Sequence, residues 1–383
     1  MSIGTVLITG GAGFIGQHSC RSFLERGYKV RILDNFQPQI HGINDQLPTE
    51  LAGAVELFRG DVRDRELMAK ALRGADAVVH LAAETGTGQS MYEIERYFSV
   101  NVQGTAVLID LLQNASDAPA IRSIVVASSR AIYGEGAYLC SIHDKVYPDQ
   151  RLHTDMEQGH FEPRCPTCGA AVTAVPTDEA TPLKPMSIYG LTKQIQEQAV
   201  LMIARNHGMN GVALRYQNVY GPGQSLRNPY TGILAVFSNL ARSRQTIEVY
   251  EDGQESRDFV YIDDVVRATV SAVALEAQYC GALNIGSGVA TTVQHVASEI
   301  NAYFGGKSAI QVTGAFRAGD IRHNVAALHQ AERQLRYKPT VAFAAGIRRF
   351  LQWAEGQEAG DRSAYAASVA ELAAKGLMGH QER

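Results

Sequence analysis

A tyrosine and a lysine four residues apart are the pair in this sequence that most directly suggests acid–base catalysis. Tyr189 and Lys193 lie in the run MSIYGLTKQIQEQAV, which predicts a helix with both side chains on one face. A phenol has a pKa of about 10, and a nearby positive charge lowers that value. Such a pair is common on helix surfaces, so its meaning depends on the elements around it.

A serine at the end of a predicted strand gives the pair a third member. The run SIVVASS predicts a buried strand that ends at Ser128 and Ser129. A hydroxyl at a strand end can hydrogen-bond the substrate hydroxyl that a tyrosine deprotonates. Ser129, Tyr189 and Lys193 are therefore candidates for a catalytic group that removes a proton from an alcohol while the carbon loses hydride. This chemistry needs a hydride acceptor.

The N-terminal run TVLITGGAGFIG predicts a strand that enters a glycine-rich turn, and an apolar-periodic helix follows it. Gly11, Gly13 and Gly16 satisfy G-x-G-x-x-G, and Gly10, Gly13 and Gly16 satisfy the wider G-x-x-G-x-x-G spacing. Glycines so spaced form a tight turn, let a pyrophosphate approach the backbone and allow the helix to pack close to the strand. The helix N-terminus supplies amide donors to the anion.

The next strands predict that the nucleotide is NAD. The run YKVRILDNF ends at Asp34, 18 residues after Gly16, where a carboxylate accepts hydrogen bonds from ribose hydroxyls and repels the 2′-phosphate of NADP. Asp61 ends a third strand as a candidate adenine contact, and a fourth strand enters a loop at Ala82 and Ala83. The predicted NAD contacts are Gly10, Gly13, Phe14, Ile15, Asp34, Asn35, Asp61, Val62, Leu81, Ala82, Ala83, Tyr189 and Lys193.

Strands that alternate with helices predict an α/β protein with a Rossmann-type, doubly wound parallel sheet. We expect the NAD-binding domain to span residues 1–195, with later strands near 211–219 and 258–262 returning to its sheet. Residues 196–383 are then a smaller mixed α/β domain that caps the substrate and ends in an Ala-rich helix. An insert at 136–177 interrupts the first domain.

Composition excludes several other classes of protein. The 383 residues are 45% hydrophobic and 19% charged with a net charge of −4, so bulk electrostatics do not favour nucleic acid or an anionic membrane. No apolar run is long enough to span a bilayer, and the N-terminus lacks the pattern of a signal peptide. Five cysteines do not make a disulfide framework in a chain of this length. We expect a cytoplasmic protein.

The motifs taken together resemble one family, the extended short-chain dehydrogenase/reductases that act as NAD-dependent sugar-nucleotide epimerases and dehydratases. Besides the runs above, the resemblance rests on YFSVNVQGT, LRYQNVYGPGQ, DGQESRDFVYIDDVV, GALNIGSG and FRAGDIRH, and it covers most of residues 4–345. It implies that Ser129 and Tyr189 are catalytic and that Lys193 binds the nicotinamide ribose. It also implies a set of contacts to a nucleotide-sugar substrate, namely Glu84, Thr85, Ser90, Ser129, Asn218, Arg257 and Arg317.

One local difference selects among the reactions of this family. Dehydratases that resemble this chain place an Asp-Glu pair directly after the serine of the fifth strand, and decarboxylases keep the Glu, whereas here Arg130 and Ala131 follow Ser129. Neither can act as the extra acid and base, and Asp34 opposes the NADPH that a reductase would use. The resemblance therefore favours a 4-epimerase, which oxidises C4 to a ketone and returns the hydride to the other face.

The substrate expectation rests on resemblance alone. The run HLAAETGTGQS, with Glu84 and Thr85, is similar to that of 4-epimerases that convert dTDP-L-rhamnose to dTDP-6-deoxy-L-talose. A UDP-hexose 4-epimerase, or another NAD-dependent nucleotide-sugar oxidoreductase or dehydratase, is the alternative. Family members commonly form homodimers through helices that correspond here to SMYEIERYFSVNVQGTAVLIDLL and the Tyr189 helix. We expect no nucleic-acid partner, because the insert mixes charges of both signs.

The insert predicts a structural zinc site. Cys140-x-x-His143 and Cys165-x-x-Cys168 are two knuckles of ligands, and His143 and Cys165 are 22 residues apart, a spacing typical of zinc ribbons. Four protein ligands would leave no open position on the metal, so the zinc would order the insert rather than catalyse. The alternatives are a redox dithiol, cysteines without a metal, and His153 or His160 as the fourth ligand. The insert joins the catalytic serine to the catalytic tyrosine, so we expect it at the mouth of the sugar pocket.

Overall fold

The computed structural model describes residues 4–42, 45–114, 120–228, 230, 232–358 and 362–381. The strands are β1 (Thr5–Thr9), β2 (Lys29–Asp34), β3 (Glu56–Arg59), β4 (Ala77–His80), β5 (Ser123–Ser129), β6 (Tyr138–Cys140), β7 (Asp144–Val146), β8 (Val172–Ala174), β9 (Asn210–Tyr216), β10 (Asn218–Tyr220), β11 (Ile247–Val249), β12 (Ser256–Tyr261), β13 (Cys280–Ile285), β14 (Ala290–Thr292), β15 (Ile310–Val312), β16 (Ala315–Arg317), β17 (His323–Asn324) and β18 (Met378–His380).

The helices are α1 (Phe14–Glu25), α2 (Pro38–His41), α3 (Arg65–Leu72), α4 (Thr87–Ser90), α5 (Ile94–Tyr97), α6 (Gly104–Asn114), α7 (His153–Glu157), α8 (Ile188–Asn206), α9 (Ile233–Arg242), α10 (Ile262–Val273), α11 (Val293–Tyr303), α12 (His329–Leu335), α13 (Phe343–Glu355) and α14 (Arg362–Ala374). A π-helical segment, Phe98–Gln103, joins α5 to α6, and a 3-10 turn, Arg130–Tyr133, follows β5. Over the described ranges, every helix is too short or too polar to cross a membrane.

A seven-stranded parallel sheet with the order β13-β9-β5-β4-β1-β2-β3 confirms the predicted Rossmann-type fold. Its central strands are largely apolar and buried; every residue of β5 is buried, for example, as expected of a sheet covered by helices on both faces. The chain reverses its direction of travel across the sheet at β1, which lies between β2 and β4. Ligands bind at the carboxyl ends of the strands beside such a switch point.

The strand predicted near 258–262 does not join this sheet. It is β12, which pairs with β10, β14 and β17 in a separate small sheet, whereas β13 forms the edge of the large sheet beside β9. The strand predicted near 211–219 divides between the two sheets as β9 and β10, with a break at Gln217. The prediction was wrong because short apolar runs such as RDFVY and GALNI carry no local signal of their partner strand.

The insert forms a three-stranded antiparallel sheet with the order β7-β6-β8. The short helix α7 lies between β7 and β8 in the chain. The C-terminal segment, whose location the residue pattern did not indicate, returns to the substrate side of the molecule. Its last strand, β18, pairs antiparallel with β16, so that Met378 lies opposite Arg317. The insert and the C-terminus therefore both pack near a residue expected to bind substrate.

A buried ion pair fixes the helix that carries Tyr189 to the large sheet. Glu197 of α8 accepts from Arg215 of β9 with an Oε1–Nη2 distance of 2.5 Å, and Ser128 Oγ donates to the other oxygen at 2.5 Å. Arg215 also donates to Tyr133 Oη at 2.7 Å. Because the strand-end residue Ser128 joins the same cluster, β5 and α8 keep a fixed relative position.

Glu197→Gln should lower the free energy of unfolding by about 3–5 kcal/mol, because it leaves the buried Arg215 guanidinium without a counter-charge. Thermal and urea unfolding measure this loss. The matched control is Arg65→Gln, which breaks the exposed pair Arg65–Asp110 and should leave the free energy of unfolding nearly unchanged. A Glu197→Gln variant as stable as the control would show that the buried pair does not hold α8 on the sheet.

Candidate active site

The glycine turn lies at the carboxyl end of β1 and is packed too closely for side chains. Gly10 has a φ of +70°, and a Cβ there would lie 2.8 Å from the amide nitrogen of Ala82. A Cβ on Gly16 would lie 2.4 Å from the carbonyl oxygen of Gly10. Gly10, Gly13 and Gly16, which have the wider spacing, border the adjoining cavity. Because these residues have no side chains, the backbone of the turn is open on its cavity side to close approach by a pyrophosphate.

This cavity has a volume of about 850 Å³ and fits a dinucleotide. Asp34 at the end of β2 accepts from Ala12 N at 3.0 Å and Phe36 N at 2.8 Å, which fixes its carboxylate at the rim. Asp61 is held by Arg63, whose hydrogen bond keeps the pKa of Asp61 below its usual value against the effect of burial. All the predicted NAD contacts border the cavity, namely Gly10, Gly13, Phe14, Ile15, Asp34, Asn35, Asp61, Val62, Leu81, Ala82, Ala83, Tyr189 and Lys193.

A second cavity, of about 370 Å³, meets the first at Ser129 and Tyr189, which border both. Ser129 ends β5, and its Oγ accepts from Ala131 N at 3.1 Å and forms a hydrogen bond with Tyr189. Lys193, one turn after Tyr189 on α8, donates from Nζ to the carbonyl oxygen of Ala127 at 2.9 Å. The three predicted catalytic side chains thus lie together where the two cavities join.

Burial dominates the acid–base behaviour of these groups. It raises the pKa of Tyr189, and the Ser129 hydrogen bond and the positive charge of Arg130 offset only part of that rise. It also lowers the pKa of Lys193 to about 7. We expected Lys193 to lower the pKa of Tyr189; in the structure the pKa is raised, and Arg130 is the cation that acts on the phenol.

Five of the seven predicted substrate contacts border the second cavity: Thr85, Ser129, Asn218, Arg257 and Arg317. Arg257 donates to Asp320 Oδ1 at 3.0 Å. Arg317 lies with its guanidinium carbon 5.0 Å from the centre of the Tyr250 ring, and its Nε has no hydrogen-bond partner among the described residues. A buried, unpaired guanidinium donor at a cavity wall suits an anionic ligand.

The other two predicted contacts, Glu84 and Ser90, are not at this cavity. Glu84 borders the first cavity, and its carboxylate accepts from Arg96 at 2.8 Å. Ser90 is fully buried, and its Oγ donates to the carbonyl oxygen of Thr87 at 2.6 Å. The one-turn helix α4 directs Ser90 back onto its own backbone, so the structure does not place Ser90 at the cavity.

Among the polar residues of the substrate cavity that sequence reasoning missed are Arg130, Asp320 and Gln217. Arg130 is partly buried there and donates to Asn218 Oδ1 at 2.7 Å; loss of contact with water and repulsion from Arg257 lower its pKa to about 10. Burial would raise the pKa of Asp320, but the charges of Arg257, Arg317 and Arg130 hold it below its usual value. Gln217 borders both cavities, and neither side-chain atom has a hydrogen-bond partner within the described ranges. Each carried a local signal: Arg130 is adjacent to Ser129, and Gln217 and Asp320 lie in the runs LRYQNVYGPGQ and FRAGDIRH.

Comparison with known proteins agrees with this geometry. Residues 6–158 and 165–286 match the family described as "NAD dependent epimerase/dehydratase family". The chain belongs to this family. It is 40% identical over 351 residues to a dTDP-L-rhamnose 4-epimerase of Burkholderia thailandensis, covering 91% of this chain and 94% of that protein. A putative UDP-glucose 4-epimerase of Methanocaldococcus jannaschii is 28% identical, with coverage of 91% and 97%.

A solved structure extends the comparison to the cofactor. The UDP-glucose 4-epimerase of Thermus thermophilus in complex with NAD superposes with a TM-score of 0.71 at 26% identity, covering 92% of this chain and all of that one. The glycine turn, Asp34 and the first cavity described above remain the predicted NAD site of this epimerase-family chain.

The insert of this epimerase-family chain brings its four predicted zinc ligands together. The ligand atoms of Cys140, His143, Cys165 and Cys168 all lie within 4.8 Å of one another. Cys140 Sγ is 3.8 Å from Cys168 Sγ and 3.8 Å from His143 Nδ1, which lies 3.7 Å from Cys165 Sγ. Ligands about 2.3 Å from a tetrahedral zinc ion have such separations. Cys165 and Cys168 lie in a turn, not at the start of a helix as a thioredoxin-like dithiol would.

The insert does not lie at the mouth of the sugar pocket. Over the part of the chain that the structure describes, residues 136–177 border neither cavity. Instead the insert packs behind the substrate cavity, where Arg151 pairs with Glu251 at 2.8 Å and Glu135 at 3.1 Å. Arg322 pairs with the same Glu251 at 2.8 Å. Buried ion pairs thus join the insert to residues next to Arg257 and Asp320.

Glu255→Gln should raise the melting temperature more at pH 8 than at pH 5. Glu255 borders the substrate cavity, and burial raises its pKa to about 7, against the attraction of Arg257. Between the ordinary value of 4.5 and about 7, the folded protein therefore holds a proton that the unfolded chain has lost. The stability contributed by this carboxyl falls as the pH rises through that window.

The gain at pH 8 should exceed the gain at pH 5 by at least about 2 °C, measured by calorimetry. The exposed residue Glu95 provides the control, because Glu95→Gln removes a carboxyl that stays in water in both states. Equal gains for Glu255→Gln at the two pH values would contradict the raised pKa.

Proposed function

We propose that this chain is a nucleotide-sugar 4-epimerase that inverts C4 through a transient 4-keto sugar, and that its substrate is dTDP-L-rhamnose, giving dTDP-6-deoxy-L-talose. The observation that carries the reaction is the group at the junction of the two cavities. Ser129 and Tyr189 are there, and Arg130 and Ala131 occupy the positions at which a dehydratase needs a carboxyl acid and base. The 40% identity to a dTDP-L-rhamnose 4-epimerase supports the substrate.

Bound NAD would supply reversible hydride transfer in this scheme. Tyr189 removes the proton from the C4 hydroxyl during oxidation and returns it during reduction, while Ser129 hydrogen-bonds the same oxygen. The field of Arg130 stabilises the phenolate that this role requires. Lys193 is positioned by Ala127 at the cofactor side of the group. Gln217 has two unused polar atoms for a sugar hydroxyl or the nicotinamide amide.

Inversion requires the keto sugar to turn while the rest of the substrate stays bound. The guanidinium groups of Arg130, Arg257 and Arg317 suit the diphosphate, which would serve as the fixed point. At the sugar end, the loop from Thr85 to Gly88 lines the cavity with threonines and glycines. Small side chains leave room for rotation of the ring about its bond to the diphosphate.

Substrate conversion tests this proposal directly. The NAD-loaded protein, incubated with dTDP-L-rhamnose without added reductant, should give a C4-inverted product that NMR identifies, with no solvent deuterium at C4. Tyr189→Phe should lower kcat by about 10²–10⁴-fold, the usual contribution of a general base, while leaving NAD bound. Parental activity in this variant, or deuterium at C4, would contradict the mechanism.

A UDP-hexose 4-epimerase is the second candidate, favoured by the likeness to UDP-glucose 4-epimerases. The assay distinguishes the two when UDP-galactose and dTDP-L-rhamnose are compared by kcat/KM. A preference for the UDP-sugar would retain the C4 mechanism and replace the substrate.

We also propose that the insert holds a structural zinc ion through Cys140, His143, Cys165 and Cys168. The ligand separations fit a tetrahedral metal, and the four ligands would leave no open coordination position for a substrate. The packed core of the insert is small, with Tyr138 and Val146 beside two of the cysteines. A metal would therefore contribute much of the stability of the insert.

Purified protein should contain about one equivalent of zinc per chain by elemental analysis. Cobalt substitution should give the visible absorption of a tetrahedral thiolate site, and Cys168→Ser should abolish it. Cys280→Ser, which changes a cysteine outside the insert, is the control and should keep the metal. Less than half an equivalent in the parent, or a Cys168→Ser variant that binds as tightly as the parent, would contradict this ligand set.

The expected homodimer remains a prediction. Ile94 of α5 and Leu191 and Met202 of α8 are exposed apolar side chains on the helices for which a dimer contact is expected. Leu191 and Met202 are 11 residues apart and so lie on one face of α8, which makes that face the proposed contact.

A further inference from the structure

The C-terminal helix α14 turns one face toward the substrate cavity. Tyr365, Ser368 and Leu372 border that cavity and are spaced i, i+3 and i+7, which places them on one side of the helix. Ser368 and Leu372 are 5% and 4% exposed, whereas Ala367, directly before Ser368, is exposed. The helix therefore packs against the site by a defined face.

The two ends of this face lie against opposite parts of the cavity. Tyr365 lies beside Tyr250 and Arg317. Burial raises the pKa of Tyr365, Tyr250 adds to the rise, and the charge of Arg317 offsets part of it. Leu372 lies at the loop expected to face the sugar; a Cβ on Gly88 would be 3.5 Å from its side chain. Seven residues of helix span about 10 Å, so the face extends from the Arg317 end to the sugar end.

The segment after the helix is tied to the residue that carries the unpaired guanidinium donor. In the pairing of β18 with β16, Arg317 lies opposite Met378. Ala318 N donates to Leu377 O at 3.0 Å, and Gln381 N donates to Gly314 O at 2.9 Å. Both flanks of β16 are thus held by backbone hydrogen bonds from the C-terminal segment.

The insert supports the other side of this strand pair. The ring of His153 on α7 lies 4.8 Å from that of Phe316, which is buried with Met156 and Phe161 of the insert. The side chain of Gln381 reaches Gly159, where a Cβ would lie 2.4 Å from its Nε2. The strand β16, which carries Arg317, is therefore enclosed between the insert and the C-terminus.

We propose that the C-terminal segment contributes to the substrate site, with Tyr365, Ser368 and Leu372 of α14 as a wall against the bound nucleotide sugar and β18 as the element that positions Arg317. The identity of the ligand as a nucleotide sugar rests on the proposed function. An isolated helix of 13 residues is marginal in water, so α14 depends on its contacts at the cavity for its order. Occupation of the cavity should therefore stabilise the helix.

A bulky side chain on the cavity face tests the wall. Ser368→Tyr should raise the Kd for dTDP and for dTDP-L-rhamnose at least tenfold by calorimetry, because a phenol then occupies ligand space. Ala367→Tyr is the matched control, since the same side chain on the neighbouring exposed position should leave both Kd values within twofold of the parent. An unchanged melting temperature and NAD content show that each variant is folded.

Hydrogen exchange on the NAD-loaded parent provides the second measurement. Addition of dTDP-L-rhamnose should slow amide exchange across residues 365–381. If the parent binds UDP-galactose instead, UDP-galactose should have this effect. Parental Kd values for Ser368→Tyr, or exchange in this segment that does not respond to a bound ligand, would overturn this inference alone. A parent that binds neither nucleotide sugar would overturn the proposed function and, with it, the role of the helix.

Discussion

Burial of the Tyr189 phenol is the condition to which the rest of the site responds. Removal from water disfavours the ionised form that an alcohol oxidation needs, and the pKa of the phenol is raised. The fold opposes this effect with a strand end that supplies Ser129 and a turn that supplies Arg130. The effects of Ser129 and Arg130 on Tyr189 act only at short range, so β5 and α8 must be held rigidly together. Glu197 of α8 provides this link, because its carboxylate accepts from Ser128 of β5 and from Arg215 of β9.

The substrate cavity is also surrounded by charged side chains that pair with one another. Arg257 and Arg317 face the cavity with Asp320 beside them, and a further network through Arg151 and Glu251 lies directly behind. Buried ions are stable only when their partners are fixed, which explains why separate segments of chain converge here. The insert contributes Arg151, and the C-terminal strand flanks Arg317. The insert thus reaches the substrate site from behind, and the C-terminal segment reaches it from the side.

The epimerase family shares one fold among several reactions, and the difference lies in a few side chains on it. Here the carboxyl acid and base that elimination requires are replaced by Arg130 and Ala131 at the end of β5. Arg130 does more than occupy the position of an acid. It donates to Asn218 Oδ1, and its positive charge lowers the pKa of Tyr189. The substitution that argues against dehydration therefore also supplies a charge that favours alcohol oxidation.

The sequence by itself determined the features whose geometry is local. The spacing of Gly10, Gly13 and Gly16, the helical pair Tyr189 and Lys193, and the two ligand knuckles of the insert all follow from a few neighbouring residues and from backbone periodicity. Only the tertiary structure decided which distant segments meet. It assigned β12 to the small sheet, directed Ser90 onto its own helix and brought Tyr365 to the substrate cavity. Such contacts depend on pairing and packing across long separations in the chain, for which a short run of residues carries no signal.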